Sequence, residues 1–218
     1  MSLKYGWDSF LFIEEKFLEA KNYVAFEEKN YDTYSLFFSN IIVLLGTRIE
    51  AAFKELCSHI DNTQTPGNIG QYKGIILKEY PNIEKCETQL IDSNLKFQPF
   101  DGWSNKKLNW WNCYTNLKHN LAANKLNLKV ALDMLSAYFI LLLIIQTRIR
   151  INLGQNPVSD AEMIDLGVNP KSTNSIFIYL IEQSKLLNFC IFDCGPAEDE
   201  KGSSFEFSAD EINKFLKK

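Results

Sequence analysis

The chain has 218 residues, 46% of them hydrophobic, 13% aromatic and 23% charged, with 10 Gly and 6 Pro. That length carries one sizeable core plus a small appended module, and the composition excludes disorder and fibrous architectures. A net charge of -4 gives no whole-chain signature of nucleic-acid binding, but the charge is uneven: Gln155 to Lys218 holds 11 acidic and 6 basic residues, whereas Ser104 to Arg150 holds 7 basic residues against one acid, Asp133.

Taken in chain order, Phe10, Ile13, Phe17, Ala20 and Val24 recur at three and four residues and predict a first helix from about Asp8, its N-cap, to about Glu28. After "KNYDTYS", Ser35 caps a second helix to about His59, with Phe38, Ile41, Leu45, Ile49, Ala52 and Leu56 as its apolar stripe. "DNTQTPGNIG" breaks the chain, and one or two shorter helices follow, the later one opened by Pro81. "FQPFDGW" reads as a loop. Two helices come next, about Ser104 to His119 and about Leu126 to Arg150. The second contains the longest apolar run, Met134 to Ile145, too short for a membrane span and suited to a buried core helix. Long helices joined by short polar turns predict a mainly α protein, an antiparallel bundle over residues 1–154.

Beyond "NLGQNP" the character changes, and residues 155–218 are expected to form a small α+β module. Ser159 to Glu162 and Ser208 to Glu211 are capping boxes. Between them stand a helix over about Ser175 to Leu187 and two strand-like runs, "FCIFDC" and "SSFEFS". Helix, helix, hairpin is the order of a winged helix, but the acidic tip "AEDEKG" argues against phosphate contact and for a structural cap or a protein partner.

Cys57, Cys86, Cys113, Cys190 and Cys194 are an odd number without a disulfide framework. With no apolar signal segment at the start, reduced thiols in a cytoplasm are expected, and no membrane. Cys190 and Cys194 have no second pair beside them, so no metal is expected. There is no GxGxxG, Walker loop, HExxH or GxSxG, and no cofactor is expected.

The segment with chemical content is "WWNCYTNLKHN", Trp110 to Asn120. On a helix, Asn112, Asn116 and His119 share one face, and Trp111, Tyr114 and Lys118 an adjacent one. Asparagines recur at 105, 109, 112, 116, 120, 124 and 127, although Asn is a mediocre helix former. They form either a solvated face or a polar edge with a task. A neutral imidazole at His119 can move a proton, Lys118 can hold a phosphate, and Asn112 or Asn116 can orient it. The bland alternative makes His119 a helix C-cap. Arg48 and Glu50 interrupt the apolar second helix. Glu50 is placed to pair with Lys54, while Arg48 is the residue that would reach across the bundle to His119. His59 ends that helix as a cap.

"WWNCYTNLKHN" followed by "LNLKVALDMLSAYFILLL" resembles the HEPN superfamily, the nucleotide-binding helical domains of higher eukaryotes and prokaryotes, and in particular bacterial members with a "WW..YN..KH" helix. "PFDGW" and "YSLFFSNIIVLLGTRIEAAFKEL" fit the same pattern, and the likeness spans about Tyr34 to Ile145. It implies a homodimer with the two motifs meeting in one cleft, and links to defence or toxin-antitoxin systems. Many such proteins are metal-independent ribonucleases with an Arg, four to six residues, then a His. Here the His matches His119, but the Arg positions hold Tyr114, Cys113 and Asn112, so that Arg is missing. The resemblance then implies either a non-catalytic module that binds nucleic acid, nucleotide or a protein partner, or a ribonuclease. In the latter, His119 acts as acid or base, with Lys118, Asn116 and Asn112 around it and Asn120, Tyr114 and Arg48 as substrate contacts. A purely structural helical domain is the remaining alternative.

Overall fold

The computed structural model describes residues 3–91, 93–119, 126–152 and 187–190, with Lys214, Leu216 and Lys217. Among the described residues five helices dominate: α1 (Leu3–Ala20), α2 (Leu36–Ile60), α3 (Ile69–Glu79), α4 (Asn109–His119) and α5 (Leu128–Asn152). Two short 3-10 turns cover Glu28–Asn30 and Pro81–Lys85. Three strands, β1 (Glu87–Leu90), β2 (Lys96–Phe97) and β3 (Leu187–Cys190), form one antiparallel sheet in the order β2-β1-β3.

The protein is mainly α, as expected. Helix α2 begins where the sequence places it: the Ser35 hydroxyl accepts from the Phe38 N–H at 3.1 Å, satisfying a donor the first turn would leave unpaired. Every member of its predicted stripe is buried. The run Met134 to Ile145 is buried throughout, so α5 is the central core helix, packed chiefly on α2 with α1, α4 and the sheet around it. Helices α2 and α5 are each long and apolar enough to cross a bilayer, but 89% of the most apolar window of α5 is buried inside the protein. Two of the polar groups taken inside find partners on other elements. Thr88 on β1 and Ser136 on α5 share a hydrogen bond of 2.7 Å, and the Tyr138 hydroxyl donates to the Gly6 carbonyl at 2.9 Å.

Three boundaries differ from expectation. Helix α1 ends at Ala20 rather than Glu28, and Asp8 lies within it instead of capping it. The chain turns at Lys21 to Tyr23 and brings Phe26 back edge-on to Phe17, centroids 6.1 Å apart, which leaves Val24, the last residue of the predicted spacing, beyond the helix. Helix α4 begins at Asn109, not Ser104. Residues 99–106 form successive turns, with Gly102 at φ 65 and its carbonyl accepting from the N–H groups of Asn105 and Lys106. Only a residue tolerant of positive φ fits there. The turn buries Phe100 and Trp103, and the Trp110 indole donates to the Pro99 carbonyl at 2.7 Å.

Strands β1 and β2 lie where no strand was expected, in residues following Pro81. The Glu87 carboxylate of β1 is 2.9 Å from the Lys96 ammonium of β2. Strand β3, starting at Leu187, which was expected to end a helix, includes Phe189 and Cys190 of the first strand-like run of the C-terminal region; the rest of that run lies outside the described residues. The strand pairs with β1, Glu87 opposite Cys190 and Leu90 opposite Leu187. Its expected hairpin partner "SSFEFS", both capping boxes, the rest of the 175–187 helix and Cys194 lie outside the described residues. The chain's C-terminal end also meets the bundle: Leu216 is fully buried, and Lys217 lies 3.0 Å from Glu79 at the end of α3.

Candidate functional site

Helix α4 is divided sharply across its width. Trp110, Trp111, Cys113, Tyr114 and Leu117 are buried, whereas Asn109, Asn116 and Lys118 are exposed and Asn112 is half-buried. On the inner side Phe53 of α2 is the hub, with Tyr72 stacked on it at 5.4 Å and Trp103 and Trp111 at 5.6 and 5.7 Å. This aromatic packing fixes how α4 is rotated, and rotation alone presents the amides outward. Among the predicted asparagines, Asn105 precedes the helix in the turn, and Asn127 caps α5 by accepting from the Val130 N–H at 3.0 Å. Asn120 and Asn124 lie outside the described residues. His119 is the last residue of α4.

Tyr114, expected as a substrate contact, belongs to the core: it is 1% exposed and its ring lies against Gly46 of α2, where a Cβ would overlap it. One turn further along both helices, Glu50 reaches Lys118 at 3.4 Å and its own neighbour Lys54 at 3.3 Å. The pairing with Lys54 was expected; the crossing to α4 was assigned to Arg48. Two residues from both Gly46 and Glu50, Arg48 stands about 200° around the helix from the pair that faces α4. Glu50 therefore makes the crossing. Burial alone would raise its pKa, but Lys54 and Lys118 outweigh that and hold the carboxyl below its ordinary value. Lys118, its ammonium 5.4 Å from the Tyr114 ring centroid, is shifted up by Tyr114 and by Glu50.

The basic excess between Ser104 and Arg150 is smaller in space than in sequence. Lys106, Lys118, Lys129 and Arg148 each meet a carboxylate, from Asp101, Glu50, Asp133 and Glu79 respectively. Lys107 is exposed, and Lys125 lies outside the described residues.

A second polar cluster went unpredicted. Arg148 near the end of α5 donates to the Glu79 carboxylate at 2.7 Å and to the His59 carbonyl at 3.2 Å, so three helix ends are tied together. His59 lies in the last turn of α2 rather than capping it, since the helix runs to Ile60 and Asp61 is the C-cap; its imidazole, 4.0 Å from Glu55, is shifted down by burial and by Arg148. Beside this cluster lies a cleft of about 440 Å³, with Asp61, Gln64, Gln71, Ile75 and Glu79 in its lining. Its carboxylates are already engaged, Asp61 by Thr63 and Gln64, Glu79 by Arg148 and Lys217.

Among the described residues no three His, Cys, Asp or Glu side chains are grouped to hold a metal. Cys57, Cys86 and Cys113 are buried thiols; burial pushes Cys57 up to about 12 and Cys86 further, which removes both as nucleophiles at neutral pH. Compared with family models, with curated proteins and with solved structures, the chain matches none.

Proposed function

We propose that the chain is a non-catalytic, dimeric, cytoplasmic binding module of HEPN type, and that it contacts RNA through the outer edge of α4. The observation that carries this reading is the division of α4: every aromatic residue faces inward, leaving Asn109, Asn112 and Asn116 along one edge, while Lys118 stands about 200° around the helix from Asn116, exposed at the end of the α2 side. Amides spaced by a helical turn offer donors and acceptors to sugar and base edges, and Lys118 offers a point charge to a phosphate. The carboxylate partners of the nearby lysines keep the electrostatic contribution modest, so the binding is expected to be weak and to depend on the amides. The absent Arg of the ribonuclease pattern favours binding without cleavage.

The test is fluorescence anisotropy with a labelled single-stranded RNA in EDTA, wild type beside Asn112→Ala/Asn116→Ala. Expected are an affinity that falls as salt rises and a further several-fold loss in the double variant, with thermal unfolding unchanged. No binding at low salt overturns the proposal.

A further inference from the structure

We infer that Glu50 is an internal competitor for the ligand: its carboxylate occupies, between Lys54 and Lys118, the place a backbone phosphate takes when RNA binds. The inference rests on the RNA-binding reading above. One carboxylate oxygen meets Lys54 at 3.3 Å and the other meets Lys118 at 3.4 Å. The two ammoniums come from different helices, α2 and α4, and converge on a single anion. A phosphodiester has the same charge and likewise offers two oxygens to two donors.

The three side chains differ in a way that suits exchange. Those of Lys54 and Lys118 are 54% and 51% exposed, so both ammoniums are open to an incoming ligand, while that of Glu50 is 26% exposed and set between them. Such solvent-exposed ion pairs are individually weak, so Glu50 lowers affinity without blocking the site. Lys118 keeps one contact that does not involve Glu50, its ammonium lying 5.4 Å from the centroid of the Tyr114 ring. The device selects against ligands that bring a single weak anion and favours a polyanion whose neighbouring groups hold it elsewhere on the surface.

The experiment compares RNA affinity and its salt dependence for the wild type, Glu50→Gln, Glu50→Gln/Lys118→Gln and Glu28→Gln. The last removes the same charge from an exposed residue on the distant turn before α2. Glu50→Gln is expected to bind about threefold to tenfold more tightly, from two released exposed pairs. Its logarithmic salt slope should steepen by about 0.7, one further phosphate contact on a single strand. Adding Lys118→Gln should erase both changes, and Glu28→Gln should show neither. Equal affinity of wild type and Glu50→Gln, with both binding, overturns the inference and leaves the RNA reading standing. A gain that Glu28→Gln shares, or that survives loss of Lys118, overturns it as well. Absence of binding by all four proteins overturns both.

Discussion

Gly46 of α2 and Tyr114 of α4 are packed so closely that a single methyl group on the glycine would overlap the tyrosine ring. A glycine inside a helix costs stability, and here the cost has a visible return. It lets a large aromatic side chain lie directly on a helix backbone, and it sets the distance at which Glu50 and Lys118 meet one turn later.

Gly46→Ala should therefore destabilise. Helix propensity favours Ala by about 1 kcal/mol, but overpacking against a locked ring costs about 1–3 kcal/mol. Gly74→Ala is the control, because a Cβ on that exposed α3 residue meets nothing within 4 Å. It should stabilise by about 0.5–1 kcal/mol. Urea midpoints for the two variants should move in opposite directions.

Asn127 serves two partners, accepting from the Val130 N–H at 3.0 Å and donating to Asp32 at 3.1 Å. Asn127→Ala should cost about 1–2 kcal/mol by uncapping the central helix. Asn116→Ala, on an exposed position of α4, should change stability by less than about 0.5 kcal/mol. Chemical denaturation distinguishes a structural asparagine from a surface one in the same series.

The lowered pKa of His59, caused by burial and by Arg148, has a definite sign for stability. The unfolded imidazole titrates at its ordinary 6.5 and the folded one below it, so the unfolded state binds more protons within that window. Stability should rise with pH there and be lost as pH falls through the folded value. Glu55, raised by burial, acts with the opposite sign from its ordinary 4.5 upward, so the upper part of the His59 window is the part to measure. Unfolding followed from about pH 7 to about pH 5 should slope downward for the wild type and flatten in His59→Gln.

Leu216 is fully buried although it stands two residues from the end of the sequence. Leu216→Ala should cost about 2–5 kcal/mol, as for any well-packed core leucine. A thermal unfolding midpoint unchanged from the wild type would mean that this end does not dock on the bundle.

If the reading of α4 as a binding edge is right, RNA incubated in EDTA with wild type or with His119→Ala should be recovered at full length on a denaturing gel. Fragments produced by the wild type alone would instead make His119 the acid or base of a ribonuclease that works without the usual Arg.

How far the sequence reveals this architecture depends on distance along the chain. The α2 stripe, the Ser35 cap and the buried run of α5 are local patterns, and each is legible. The outward rotation of Asn112 and Asn116 follows from the same helical period. The end of α1 is hidden because Val24 prolongs the apolar spacing past the turn at Lys21, and the start of α4 because the turn through Gly102 carries the chain past Ser104 before the helix begins. Strands of four and two residues are too short for alternation to show. Tyr114 carries a polar tip on an apolar body, so composition cannot place it inside or outside. Glu50 meeting Lys118, 68 residues apart, and Arg148 meeting Glu79, 69 apart, are tertiary facts with no local trace.

The middle strand of the sheet acquires its two neighbours on different schedules. Strand β2 follows β1 within a few residues and can pair as soon as both emerge during synthesis. Strand β3 emerges roughly 100 residues later, about 5–20 s at ordinary rates of chain elongation. Once α5 has emerged and until β3 follows, the nascent bundle presents an open backbone edge, the kind of surface that recruits foreign strands. Glu87, at the head of that edge, already holds Lys96 of β2 through its carboxylate, while its backbone waits for Cys190 to arrive opposite.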